Sequence, residues 1–181
     1  AHGALDAGLD LPVFIAGRRR AAVNPLTVHV RHDTAFFREK TEYIRKAMEG
    51  PGKPEVFFGI DVMAGLPGET GEMFDTTLRF IEEIRPAFIH VFPYSRRPGT
   101  PAAEMPGQVD ESVKAERVAV LEEVCGRLHE DFIRRNRGIH ERVLFESADH
   151  NGIMEGYTGN YIRIERPFDA SLVNTIVDII I

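Results

Sequence analysis

The chain has 181 residues, with 22 Lys and Arg against 28 Asp and Glu, a formal net charge of −6. A hydrophobic fraction of 43% beside 28% charged residues describes a chain that buries a core, which excludes a disordered or fibrous protein. No uncharged apolar run approaches the ~18 residues of a membrane span. The start, AHGALDAGLD, shows no basic-then-apolar secretory leader. A single cysteine, Cys125, permits neither an internal disulfide nor an all-cysteine metal cluster. The acidic balance argues against coating nucleic acid by bulk charge. Between Gly17 and Lys46, however, eight basic residues (Arg18, Arg19, Arg20, Arg31, Arg38, Lys40, Arg45, Lys46) face three acids (Asp33, Glu39, Glu42). Such a stretch is either a local polyanion-binding surface or a solvated helix face with a basic loop.

In chain order, Thr34 to Met48 is predicted helical, with Asp33 as its cap and Phe36, Phe37, Tyr43, Ile44 and Ala47 on one face. Gly50-Pro51-Gly52 breaks the chain. The apolar run Val56 to Ala64 predicts a buried parallel strand. Gly65-Leu66-Pro67-Gly68 then turns into a helix capped by Thr70, whose core face is Phe74, Leu78, Ile81 and Ile84. Phe88 to Tyr94 predicts a second buried strand and completes a βαβ unit. Ser95 to Gly107, with Pro98, Pro101 and Pro106, is a long loop. From about Asp110 to about Asn136 a long helix follows, with Val118, Leu121, Cys125, Leu128 and Phe132 on one stripe and Gly138 beyond its end. Four short β-type runs then come at Arg142–Glu146, Ile153–Thr158, Tyr161–Glu165 and Val173–Ile181, separated by turns such as Asp149-His150-Asn151-Gly152. They predict a small antiparallel barrel or meander. The boundary falls near Arg137, giving an α/β part over 1–136 and an all-β part over 137–181. The final NTIVDIII ends without a turn signal, which leaves the completeness of the second part open.

Chemistry is expected where strands end. The loop Gly65–Thr70 lies at the C-terminal end of a parallel strand, where α/β folds bind ligands, although any strand-to-helix loop favours Gly, Pro and a Thr cap. The second strand ends in Tyr94-Ser95-Arg96-Arg97-Pro98-Gly99-Thr100, a segment suited either to gripping an anion or base or to packing its tyrosine on a Pro-stiffened loop. His90, in mid-strand, reads as a satisfied core histidine.

GIDVMAGLPGET, HVFPYSRRPGTPAAEMP, the ESVKAERVAVLEE helix, and VLFE with GYTGNYIRI together resemble the radical-SAM methylthiotransferases. That family's motifs run D-V-I-V-G-F-P-G-E-T, H-V-F-x-Y-S-x-R-x-G-T and V-K-x-x-R in the same order, ahead of a C-terminal TRAM domain. The resemblance spans about Asp33 to Ile181. The Pro of HVFPYS and the GYTGNYIRI string are most similar to the branch acting on threonylcarbamoyladenosine in tRNA.

The resemblance implies an α/β fold: the C-terminal part of a radical-SAM partial TIM barrel, then a small all-β, OB-like TRAM barrel. It implies a transferase that adds a methylthio group to C2 of N6-threonylcarbamoyladenosine beside the anticodon. In that reaction S-adenosylmethionine is cleaved to a deoxyadenosyl radical. Met63, Gly65, Val91 and Phe92 would lie against the adenine of S-adenosylmethionine, and Arg97 would reach substrate or phosphate. Tyr157, Tyr161 and Arg163 would contact tRNA, helped by Arg134, Arg135 and Arg137 at the junction. A cytoplasmic setting without membrane contact follows from the same likeness.

This sequence departs from the family at two places. The family holds two 4Fe–4S clusters on a CxxxCxxC motif and three further cysteines. This chain has Cys125 alone, which on its stripe reads as a small buried residue. The chain is therefore expected to lack the N-terminal half of the enzyme, to hold no metal, and to be inactive by itself, with no assignable catalytic residue. The family's L-P-L-Q-S-G-S segment is also missing: Leu11-Pro12 is followed by Val13-Phe14-Ile15, and the match fails as far as Arg31. The alternatives are an enzyme for isopentenyladenosine tRNA, a non-catalytic RNA-binding fragment, and an unrelated α/β enzyme using Tyr94 or His90 in acid–base roles.

Overall fold

The computed structural model describes residues 34–146 and 152–181. The Asp33 cap, the arginines before it and most of the 149–152 turn lie outside them. The described residues divide into two compact units. The first holds 34–41, Ile60–Arg85 and Ile89–Val124; the second holds Glu42–Gly59, Pro86–Phe88 and Cys125–Ile181.

Strands β1 (Gly59–Ala64) and β2 (Phe88–Pro93), which apart from their first residues belong to the first unit, pair in a two-stranded sheet. The amides of Ala87 and Phe88 donate to the Phe58 carbonyl, and that of Tyr94 to the Ala64 carbonyl. Both ends of the pair thus advance together, and the strands are parallel. Helix α2 (Gly71–Ile84) makes the crossover. It starts where the Met73 amide donates to Thr70 Oγ1 at 3.2 Å, a serviceable side-chain cap, and stops where Arg85 turns left-handed at φ 45°. Phe74, Phe80, Ile81 and Ile84 are buried, with Leu78 half-buried. Helix α1 spans Thr34–Met48 as expected, but on a different face. Thr41 is its buried residue, while Phe36, Tyr43 and Ile44 are 42%, 69% and 40% exposed. The docking is fixed elsewhere, by Phe37 edge-on to Phe80 at 5.9 Å and by a two-bonded Arg38–Glu83 ion pair.

The expectation of two fully buried strands is corrected. β1 buries Ile60, Val62 and Ala64 and leaves Met63 exposed, with Asp61 half-buried; β2 buries Ile89 and exposes Phe88, His90 and Phe92. Alternate side chains are buried, and the side chains between them stay exposed or half-buried. His90 therefore stands in the open rather than in the core, its ring 4.1 Å from that of Phe92.

The Pro-rich loop contains a short helix, α3 (Pro101–Glu104), tied down by Arg96 Nε donating to the Ala103 carbonyl at 2.8 Å. Helix α4 (Glu111–Arg135) buries Leu121, Leu128 and Phe132 of the expected stripe. Val118 and Cys125 are only half-buried, so the thiol is not the core residue its spacing suggested.

The second unit carries strands β3 (His140–Phe145), β4 (Ile153–Thr158), β5 (Arg163–Pro167) and β6 (Thr175–Ile180). They form an antiparallel sheet in the order β5-β4-β3-β6. The chain is thus mixed α/β with a small antiparallel sheet, at that level as its sequence led one to expect. Period-2 alternation sorts the faces. Val143, Phe145 and Met154 are fully buried, with Ile164, Leu172, Val173, Val177 and Ile179 packed on them. A second cluster joins Ala87, Phe132 and Ile162 to Phe57, Ile133, Ile164 and Ile181.

Gly156 sits where β4 meets this core with no room for a side chain. A Cβ there would lie 2.5 Å from Val143 Cγ1 and 2.6 Å from the Leu144 carbonyl oxygen. Gly156→Ala is expected to lower stability by about 3 kcal/mol through overpacking, measured by denaturant unfolding. Gly159→Ala, whose Cβ would meet Glu141 Oε2 at 3.5 Å, is expected to change stability by less than about 1 kcal/mol. Equal effects would refute the close packing.

Candidate functional site

In the first unit the site is built at the exit of β1. Leaving a strand for a helix, the backbone at Gly65 adopts φ +79°, a left-handed conformation that suits glycine. The turn strips Gly65 and Leu66 of ladder partners, and their amides find one instead in Glu69, whose Oε2 accepts from Gly65 N at 2.8 Å and Leu66 N at 3.1 Å. The other carboxylate oxygen, Oε1, accepts from Arg117 Nη1 at 2.9 Å, and the same nitrogen reaches the Glu69 carbonyl at 3.2 Å. Both side chains are 10% exposed, so this is a buried, fully engaged ion pair. Gly68 N donates to the Gly107 carbonyl at 2.8 Å and closes the loop's far end.

Lys114 lies one helical turn before Arg117 and is 3% exposed. Its aliphatic stem packs so closely on Gly65 that a Cβ there would overlap Lys114 Cγ. Its ammonium reaches Glu111 Oε1 at 2.7 Å and lies 5.4 Å from the centre of the Tyr94 ring. Tyr94 is buried, and its hydroxyl has no hydrogen-bond partner among the described residues. The V-K-x-x-R motif by itself gives Lys114 and Arg117 no task. The signal was present in their spacing: positions 114, 117, 121 and 128 continue one stripe of α4, so both cations share the face of buried Leu121 and Leu128.

The residues expected to hold an adenosine fall around this loop. Met63 and Phe92 are 36% and 37% exposed on the open face of the two strands; Gly65 is buried at the strand exit and Val91 half-buried. Asp61 and His90 share that face, His90 Nδ1 lying 3.7 Å from Asp61 Oδ1. An adenine ring needs an apolar wall and a close approach to backbone, and these residues fit one. An iron–sulfur cluster does not fit: the sequence has one cysteine, and the described residues offer no group of three metal-ligating side chains. Arg97 is exposed on its loop, its carbonyl accepting the Thr100 amide and hydroxyl.

In the second unit, strand register sets Arg163, Tyr157, Leu144 and Ile176 in one row across the outer face of the sheet. Tyr157, Leu144 and Ile176 are 43%, 44% and 61% exposed. Arg163 is clasped by Glu155 and by Glu165. Tyr161 has φ 63°, costly for a bulky residue, and is 66% exposed, with its ring 5.5 Å from Phe57. An amide cluster secures the turn that carries it. Asn136 Oδ1 accepts from the Glu55 amide at 2.8 Å and from Asn160 Nδ2 at 3.1 Å, and Asn160 Oδ1 accepts from Thr158 Oγ1 at 2.7 Å. Thr158 and Asn160 of the GYTGNY string are thus structural. Of the junction arginines, Arg135 pairs with Glu55 at 2.6 Å, Arg134 pairs with Asp131, and Arg137 is exposed.

A strand-end loop on a parallel βαβ unit, followed by a small antiparallel sheet whose outer row is Arg163, Tyr157, Leu144 and Ile176, defines the class: a two-part, mixed α/β chain. No family model matches it. It is 34% identical over 153 residues to threonylcarbamoyladenosine tRNA methylthiotransferase MtaB of Bacillus subtilis, covering 82% of this chain and 33% of that one. To the Rickettsia prowazekii protein of the same name it is 36% identical over 146 residues, covering 79% and 33%. To the tRNA-2-methylthio-N(6)-dimethylallyladenosine synthase of Haemophilus influenzae it is 40% identical over 147 residues, covering 81% and 29%. The chain belongs to this MtaB- and MiaB-like family of tRNA methylthiotransferases, and it spans about a third of the length of the curated relatives it matches.

Among these groups Glu155 has a clear electrostatic signature: its hydrogen bond to Arg163 holds its carboxyl below the usual glutamate range. A depressed value means the pair contributes above the unfolded-state pKa and is lost as pH falls through the lower, folded one. In a carboxyl-carbon NMR titration Glu155 is expected to titrate below the usual glutamate range, and to return to it in Arg163→Ala. A Glu155 midpoint indifferent to that substitution would contradict the clasp.

Proposed function

We propose that the chain is the C-terminal part of an S-adenosylmethionine-dependent tRNA methylthiotransferase. In this reading the first unit is the last portion of a radical-SAM partial barrel and the second a TRAM-type RNA-binding barrel. The observation that carries it is the open apolar wall of Met63 and Phe92 beside a strand-exit loop whose own amides are already satisfied by Glu69. When bound, S-adenosylmethionine supplies the radical and methyl chemistry. The iron–sulfur centres that reduce it are held by a part of the enzyme other than this chain.

This chain's residues bind and orient. Met63 and Phe92 offer the adenine an apolar surface, with Val91 beside them and Gly65 at the strand exit. Tyr157 and Tyr161 present exposed rings on which bases stack, an interaction worth about 1–3 kcal/mol per base. Arg97, Arg134 and Arg137 supply charge to phosphates. Arg163 is already clasped by two glutamates, which leaves it less charge to offer RNA.

The modified nucleoside we propose is N6-threonylcarbamoyladenosine, supported by the GYTGNY string and by the names of the Bacillus and Rickettsia relatives. The 40% identity to the Haemophilus protein supports N6-dimethylallyladenosine as a second reading. The complete enzyme, expressed in a strain lacking its own adenosine methylthiolation, is expected to yield the 2-methylthio derivative of threonylcarbamoyladenosine in digested tRNA. The dimethylallyl derivative alone would select the second reading, and neither product would overturn both. In a tRNA gel shift, Tyr161→Ala is expected to weaken binding about tenfold; unchanged affinity would remove this ring from the RNA surface.

A further inference from the structure

A buried carboxylate with every oxygen committed demands a reason beyond stability. Burying an ion pair is at best weakly stabilising against an apolar pair of the same size, and Glu69 with Arg117 is such a pair, each side chain 10% exposed. An apolar residue at 69, however, would leave the Gly65 and Leu66 amides without the acceptor they now share. An unpaired buried amide costs about 1–3 kcal/mol and would let the turn swing in search of water. Arg117 in turn fixes the carboxylate through its other oxygen, Oε1, and the loop backbone through the Glu69 carbonyl. Lys114 closes the remaining side, its stem lying where a Gly65 side chain would go.

We propose that Glu69 and Arg117, with Lys114 against Gly65, are positioning residues of the adenosine site: they set the peptide planes from Met63 to Leu66 before ligand arrives. This rests on the proposed S-adenosylmethionine site and adds residues that need not touch the ligand. Preorganisation acts through a reduced ordering cost on binding, so its signature is ligand affinity, separable from folding and from RNA affinity. Charge pairing alone does not suffice. Arginine has no hydrogen-bond acceptor, so exchanging the two residues keeps the opposite charges and loses the contact to both amides.

The test measures binding of S-adenosylhomocysteine to the complete, cluster-reconstituted enzyme by equilibrium dialysis, with tRNA affinity and thermal midpoint recorded on the same samples. Glu69→Gln is expected to weaken S-adenosylhomocysteine about tenfold or more, the scale seen when an orienting partner is removed, with tRNA affinity unchanged. The exchanged double variant, Glu69→Arg with Arg117→Glu, is expected to regain thermal midpoint relative to Arg117→Glu alone but not ligand affinity. Affinity within about twofold of wild type in Glu69→Gln, or restored by the exchange, overturns the positioning role and leaves the adenosine site standing. A wild-type enzyme that does not bind S-adenosylhomocysteine overturns the site and the positioning role together. If Glu69→Gln does not fold, Arg117→Gln, which removes the cation whose single nitrogen bridges the Glu69 carboxylate and carbonyl, serves in its place. A loss of about threefold or more in ligand affinity supports the proposal, and none overturns it.

Discussion

The first unit depends on how two backbone amides are satisfied. A parallel strand that ends in a left-handed glycine leaves N–H groups pointing away from any ladder, and burial makes them expensive. Glu69 answers with one oxygen for both, which creates a buried negative charge, and Arg117 answers that charge from 48 residues further along the chain. Each step compels the next. The G-x-P-G-E-T loop and the V-K-x-x-R helix, distant in sequence, are two halves of a single polar contact.

That contact leaves the other side of the strands free. Ile60, Val62 and Ala64 of β1 and Ile89 and Val91 of β2 are buried or half-buried, and Asp61, Met63, His90 and Phe92 are left on the opposite face. A face of this kind, at the carboxyl ends of parallel strands, is where α/β proteins put ligands. The second unit follows a parallel logic with amides in place of ions. Asn136 and Asn160 bind each other and the backbone of Glu55, and this holds the turn on which Tyr161 adopts its left-handed conformation. The exposed ring is thereby presented from a rigid base.

Where local chemistry decides, the sequence was legible. Thr70 caps α2 as its position suggested, Leu121, Leu128 and Phe132 of the α4 stripe are buried as their spacing marked while Val118 and Cys125 are not, and the four tail strands alternate as a half-buried sheet must. The misreadings share a cause. Periodicity treats a charged or amide side chain as solvent-facing, so the burial of Lys114, Arg117, Asn136 and Asn160 is not visible in it; that burial is conditional on partners that sequence distance hides. Conversely, a largely apolar run implies burial on both faces, whereas His90 stands on an exposed one. Which face of α1 packs was decided by the Arg38–Glu83 pair and the Phe37–Phe80 ring contact, and neither is visible in the helix's own pattern. Of the proposed site residues, Met63 and Phe92 were legible through the family motifs alone. The residues beneath them became legible only when the two motifs met in space.

The central claim is that Glu69 holds the strand-exit amides shut, and site-resolved amide hydrogen exchange at Gly65 and Leu66 tests it most directly. Slow exchange at both positions in the wild-type protein is predicted, with both becoming fast together in Glu69→Ala while the amides of β4 stay protected. Fast exchange at Gly65 and Leu66 in the wild type, or protection that survives the loss of Glu69, would contradict it.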